Sequence, residues 1–191
     1  MRKIALTEFI SLDGVIEAPH EWHFQFSGED AGQYKLDELF ATDALLLGRV
    51  TYEGFASAWP EMTDEQGFAD RFNSIPKYVV STTLENPEWN NSHVIRGNLA
   101  EEIGKLKRES GQDIVIHGSG KLANSLMAEG LIDEYRLMVH PVVVGKGQRL
   151  FEDGTALAAL DLVDSRPLSN GVILLTYVPT DPPAGSTGEA S

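Results

Sequence analysis

No cysteine occurs among the 191 residues. That absence excludes disulfides, thiolate nucleophiles, iron–sulfur clusters and Cys-ligated zinc together. Long apolar runs are missing too: no stretch approaches the ~18 residues that a membrane helix needs. Met1-Arg2-Lys3-Ile4-Ala5-Leu6 has neither the apolar run nor the small-residue cleavage site of a signal peptide, so a cytoplasmic protein without a membrane partner is expected. Positive charge is scarce, with 15 Lys and Arg against 29 Asp and Glu. The formal net charge of −14 argues against nucleic-acid partners, whose phosphates need clustered Lys and Arg. An anionic small molecule would meet a repelling overall field, so local donors, helix ends and a few placed cations must hold it.

Hydrophobic residues make up 42% of the chain, enough for one domain with a real core. Residues 1–179 are expected to form that domain, and the Pro-, Gly- and Ser-rich stretch over 180–191 a disordered tail. Lys3 to Ile10 reads as a strand ending at the turn Ser11-Leu12-Asp13-Gly14. Glu17 to Gly28 mixes aromatics, histidines and glycines without a period and reads as a long loop. Glu29 to Thr42 reads as a helix with Leu36, Leu39 and Phe40 on its inner face. Ala44 to Leu47 is an unbroken apolar run, as expected of a strand covered on both faces.

Strand and helix signals then alternate. Strands are predicted at Lys77–Ser81, Val94–Ile95, Asp113–His117 and Tyr135–Val144. Helices are predicted after Thr63-Asp64-Glu65-Gln66, after Asn98 with Glu101 as its capping partner, and over Lys121–Glu129. Leu160–Ser165 and Val172–Tyr177 read as a hairpin across Asn170-Gly171. The alternation predicts an α/β fold: a mostly parallel sheet with helices on both faces, closed by a C-terminal antiparallel hairpin.

Three turns fall at the carboxyl ends of predicted strands, where open α/β sheets bind ligands. His117-Gly118-Ser119-Gly120-Lys121-Leu122-Ala123 holds G-x-G-x-x-A between a strand and a helix, the context in which glycines let a pyrophosphate approach free N–H groups. A tight turn that simply needs glycine explains it too. Gly48-Arg49-Val50-Thr51 offers close approach, a guanidinium for a phosphate and a helix-capping hydroxyl; a solvated arginine is the plain alternative. Ser81-Thr82-Thr83 is weak alone. A Rossmann arrangement is disfavoured, because the glycine turn comes late and no acid ends the following strand.

Taken together these segments resemble the dihydrofolate reductase superfamily, most closely the branch that contains the reductase domain of bacterial riboflavin biosynthesis. The resemblance runs from about Arg2 to Pro179. It includes Ser11-Leu12-Asp13-Gly14, Gly48-Arg49-Val50-Thr51, the 117–122 turn, Leu131-Ile132-Asp133-Glu134, Val144-Gly145-Lys146-Gly147 and Leu150-Phe151. It implies a three-layer fold, NADPH as cofactor, a small-molecule substrate and a homodimer. By that resemblance Arg49 would meet the 2′-phosphate or nearby phosphates. Thr51 with Gly118, Ser119 and Gly120 would hold the pyrophosphate beside Gly48. Ser81 and Thr82 would take the adenosine side, and the loop from Ser11 to Gly14 would face the nicotinamide.

The chain departs from folate reductases in carrying no Pro-Trp segment followed by an aligned helix acid; Glu17, Glu21, Glu29, Asp30 and Asp37 are all near, none in register. It carries no deaminase segment either. Asp13 is the candidate proton donor, although an Asp-Gly turn accounts for it equally well. Trp22 and Phe24 are candidate substrate-stacking residues, with Phe26 and Trp59 behind them. His20, Glu21 and His23 suggest a metal, but no further ligand converges, so none is expected. His117 and His140 read as core or pocket-lining. The expected function is reduction of a C=N or C=O bond in a small heterocycle, of the pteridine or 5-amino-6-(5-phosphoribosylamino)uracil type. The competing class is a non-catalytic NADP(H)-sensing or dimeric structural module.

Overall fold

The computed structural model describes residues 1–155 and 157–180. The tail expected over 180–191 lies outside the described residues from 181 onward. Eight strands form one sheet in the order β4-β3-β2-β5-β1-β6-β8-β7. They are β1 (Ile4–Ser11), β2 (Thr42–Gly48), β3 (Lys77–Val80), β4 (Ser92–Ile95), β5 (Asp113–His117), β6 (Glu134–His140), β7 (Leu160–Pro167) and β8 (Ile173–Pro179). Strands β1 to β6 pair in parallel, and β8 runs antiparallel to both β6 and β7. The helices are α1 (Glu29–Phe40), α2 (Arg49–Ala58), α3 (Phe68–Ser74), α4 (Leu99–Arg108) and α5 (Gly120–Ala128).

Side-chain alternation along the strands builds the two outer layers. Leu45 and Leu47 of β2 pack with Leu39, Tyr52 and Phe72 from α1, α2 and α3. Leu46, one residue out of phase, joins Ile4, Leu6, Ile103, Leu122 and Leu126 on the face covered by α4 and α5. Each such fully buried aliphatic side chain contributes about 1.5–3 kcal/mol of transfer free energy. Among the described residues no helix is long and apolar enough to cross a membrane.

Several predicted boundaries move for identifiable reasons. α1 ends at Phe40 because Thr42 already opens β2, and its inner face carries Glu38 with Leu39 while Phe40 is exposed. β6 stops at His140 because Pro141 follows and has no N–H for a ladder. α3 starts at Phe68, where the Asp64 carboxylate accepts from the N–H groups of Gln66, Phe68 and Ala69. Gly67 stands at the N-cap position, and the first N–H groups of α3 go to the Asp64 carboxylate rather than to Thr63. Asn98 does cap α4, accepting from Glu101 N–H at 3.3 Å.

One buried polar feature ties the layers together. Arg136 of β6 donates to Glu134 and to Asp113 of β5 at 2.6 Å each, and lies 3.6 Å from Glu38 of α1. Glu38 in turn pairs with Lys35, whose ammonium also reaches the Thr7 hydroxyl of β1 at 3.2 Å.

Strands β1 and β5 part company where the site begins. Their pairing ends at Thr7 with His117, whereas β1 stays paired to β6 as far as Ser11 with His140. Among the described residues β1 has no strand partner on the β5 side beyond Thr7, and a cleft opens in the middle of the sheet.

Candidate active site

Two helices start at the edge of that cleft, α2 after β2 and α5 after β5, and these strands are neighbours in the sheet. Neither helix has a side-chain cap, so their first N–H groups stay available to an anion. Ser119 locks the two turns together. Its hydroxyl accepts from Gly48 N–H at 3.0 Å and donates to the His117 carbonyl at 3.1 Å, while its own N–H donates to Thr51 Oγ1 at 3.0 Å. Gly118 and Ser119 both adopt left-handed backbone, with φ of 55° and 61°. A Cβ on Gly120 would come within 2.9 Å of the ends of the Ile16 and Gln148 side chains, which would have to shift to admit it.

The turns border a cavity of about 950 Å³, large for a single ring and suited to two ligands meeting. One wall is the 118–121 turn with Ile16, Glu17 and Gln148; the other is apolar, built from α2, α3 and the loop before α1. On the floor, Thr7 and Phe9 point to the α1 side of β1, and Glu8 points to the opposite side with Ile4, Leu6 and Ile10.

Glu8 is the residue that the sequence reading missed. Its side chain lines the cavity yet is only 5% exposed, and Oε1 has no hydrogen-bond partner. Burial pushes the carboxyl up to about 8, and the Lys35 charge and the Gly118 N–H pull it back only in part. At neutral pH Glu8 therefore holds a proton. His117 also lines the cavity, and burial with the Lys35 charge beside it lowers its imidazole to about 3, so the ring is neutral.

Asp13 stands elsewhere. Its carboxylate accepts from the Ser11 hydroxyl at 2.7 Å, from Val144 N–H at 3.0 Å and from Gly145 N–H at 2.8 Å. These bonds, the Ser11 hydroxyl foremost, hold it down to about 2. It does not line the cavity, and with its carboxyl held low it clamps the first loop to the 144–150 loop. Arg149 and Gln148 strengthen that join through the Asp13 carbonyl and the Glu17 carboxylate.

The remaining candidates divide. Thr51, Gly118, Ser119, Gly120 and Phe24 line the cavity. Trp22 does not; it is buried edge-on to His140, with its indole N–H on the Glu17 carbonyl. Gly48 and Arg49 sit just behind the lining, with Arg49 held by Glu53 at 2.8 Å. Ser11 and Gly14 form the turn under Asp13, where Ser11 Oγ accepts from Val15 N–H and Gly14 takes a φ of 82°. Ser81 Oγ accepts from the N–H groups of Thr83 and Leu84, and Thr82 is exposed; neither reaches the cavity. Phe55, Trp59, Phe68 and Phe72 supply the apolar wall.

A mostly parallel sheet split at its centre, with two glycine turns at the split and an aromatic cavity below, defines a dihydrofolate reductase-like scaffold. The chain belongs to the RibD C-terminal domain family, which matches residues 2–174. It is 34% identical over 180 residues to the uncharacterised protein YyaP of Bacillus subtilis, covering 92% of this chain and 94% of that one. The structure is similar to that of a putative riboflavin biosynthesis protein from Shewanella, with a TM-score of 0.76, 21% identity and coverage of 94% and 99%. It also resembles a diaminohydroxyphosphoribosylaminopyrimidine deaminase/5-amino-6-(5-phosphoribosylamino)uracil reductase from Thermotoga maritima, with a TM-score of 0.66 and 16% identity over 94% of this chain and 57% of that one.

Proposed function

We propose that the protein is an NADPH-dependent reductase acting on a C=N or C=O bond of a small heterocycle, of the pteridine or aminouracil type. The observation that carries this reading is the meeting of two uncapped helix N-termini with a cavity whose floor holds a buried, protonated carboxyl, one oxygen of which has no hydrogen-bond partner among the described residues. Family membership and the reductase named among the structural neighbours support it. When bound, NADPH supplies the hydride. The protein's own part is binding, positioning and proton delivery.

In this reading the first N–H groups of α2 and α5, with Thr51, Gly118 and Gly120, hold the pyrophosphate. Ser119 keeps the two turns at a fixed spacing. Arg49 leaves Glu53 for the 2′-phosphate; both side chains are half-exposed, so their ion pair is worth little and is readily exchanged. Ser81 and Thr82 stand at the adenosine side, one strand further out. Glu8 gives its proton to the heteroatom of the reduced bond, and Lys35 beside it favours the carboxylate left behind. A sensing module would have no use for a buried acid held protonated at neutral pH.

Calorimetric titration with NADPH and NADH tests the reading directly. Tight binding with a preference for NADPH is expected, and failure of both to bind would overturn it. Arg49→Ala should weaken NADPH by about 10- to 100-fold, the worth of a charge-assisted pair, and leave NADH nearly unchanged. Equal losses would remove Arg49 from the 2′-phosphate. We also infer a homodimer. β7 is an edge strand exposed along most of its length, with Leu162 and Val163 more than half exposed, and such edges invite pairing. Light scattering should give twice the chain mass of 20.9 kDa, and Leu162→Lys with Val163→Lys should halve it.

A further inference from the structure

The wall facing the cofactor turns has a composition that limits what can be reduced. Trp59 lies 4.6 Å from Phe72 and 5.5 Å from Phe68 between ring centroids, and Phe55 lies 5.4 Å from Phe72. Phe72 meets His117 edge-on at 5.9 Å, so the rings continue down to the sheet. At the mouth, Phe24 covers His23 but leaves 66% of its own surface exposed, an apolar rim without a partner.

Cations are almost absent from this wall. Among the described residues only Lys35 and Lys121 line the cavity as Lys or Arg. Lys35 is occupied by Glu38 and Thr7, and Lys121 belongs to the first turn of α5, on the cofactor side. The imidazoles of His23 and His117 are both driven toward their neutral forms by burial. The remaining titratable groups on the lining are carboxyls, Glu8, Glu17 and Glu152. A phosphate dianion placed against the aromatic wall would lose its hydration and gain no counter-charge, a loss the Thr7 hydroxyl does not offset because it already serves Glu38 and Lys35.

Resting on the reductase reading above, we propose that the acceptor is a flat, uncharged ring compound, stacked on the α2–α3 aromatic wall, and carries no phosphate. This separates the chain's substrate from phosphoribosylated pyrimidines within the same family. Specificity comes from the absence of a cation as much as from the rings: a phosphate-bearing analogue is rejected because nothing pairs with it.

The test uses the full chain saturated with NADP⁺, titrated by calorimetry with 1-naphthol and with 1-naphthyl phosphate, which share a ring system and differ in the phosphate. Binding of 1-naphthol is expected, with the phosphate ester at least about 30-fold weaker. Trp59→Ala should weaken 1-naphthol by about 10-fold or more while NADP⁺ affinity holds. Phe24→Ala, at an exposed rim where folding is not at stake, should weaken it about threefold. Equal or tighter binding of the phosphate ester, failure of both ligands to bind, or indifference to both substitutions would overturn the proposal. Failure of NADP⁺ itself to bind would instead sink the reductase reading, and is seen separately in the saturation step.

Discussion

Glu8→Gln should bind NADPH as the wild type does and lose about 10²- to 10⁴-fold in turnover, the range expected when a positioned general acid is removed. Glutamine keeps the shape and the hydrogen-bonding edge and cannot release a proton. In the wild type, turnover should fall as pH rises through about 8, because the ionised carboxyl has nothing to donate. The variant should lack that limb.

A second readout needs no substrate. Glu8 is raised in the folded chain from an ordinary value of 4.5, so below 4.5 both folded and unfolded chains carry its proton and the residue costs nothing through ionisation. Between 4.5 and about 8 the unfolded chain ionises and the folded one does not, so stability falls as pH rises, by about 1.4 kcal/mol per pH unit at most. Above about 8 the loss is complete. Glu8→Gln should therefore melt higher than wild type at pH 9 and alike at pH 4. Equal melting at both, with unchanged turnover, would remove Glu8 from the chemistry.

The largest loss of stability should follow Arg136→Met. The guanidinium is 13% exposed and is shared among Asp113, Glu134 and Glu38, so its removal leaves several carboxylates facing one another inside the protein. Breaking a buried ionic cluster from one side costs about 3–5 kcal/mol, which for a domain of this size lowers the melting temperature by roughly 6–20 °C. Methionine fills much of the vacated space, so the loss reports charge rather than volume. Adding Asp113→Asn to the variant should recover part of it, since Asp113 has no other ion-pair partner among the described residues, whereas Glu134 keeps Lys3 at 3.0 Å. A loss below about 1 kcal/mol would mean that the cluster is open to water and merely ornamental.

Much of the fold was legible because local and tertiary signals agreed. The apolar run Ala44–Leu47 lies in a strand covered on both sides, and Asn98 with Glu101 marks the start of α4. Asn170 and Gly171 both take positive φ in the hairpin, at 60° and 80°. The glycine turns were found because strand-to-helix transitions that need close backbone approach leave few residue choices. Phe40 misled, since helical spacing gives the face but not which flank meets the sheet. Glu38 took the inner position, compensated by partners 98 and 3 residues away in sequence, Arg136 and Lys35.

Glu8 had a signal that went unread. In Ile4-x-Leu6-x-Glu8-x-Ile10 it occupies the same face as three buried aliphatics, where a carboxyl is costly unless used. Asp13, by contrast, drew attention through its motif, and only its three donors show that it is a clamp. Trp22 could not be placed from sequence, because an aperiodic loop gives no face.

The Ser119 clasp bears on kinetics. The two turns it joins are about 70 residues apart in sequence, yet a hydroxyl and an amide hold them at one spacing. The left-handed backbone at Ser119 costs about 1–2 kcal/mol, and that cost falls once, during folding. Under the proposed reductase function, an arriving dinucleotide would meet a mouth already shaped by this clasp. Its association rate is then governed by diffusion against the repulsion of a chain of net charge −14, so added salt should speed capture even as it weakens grip.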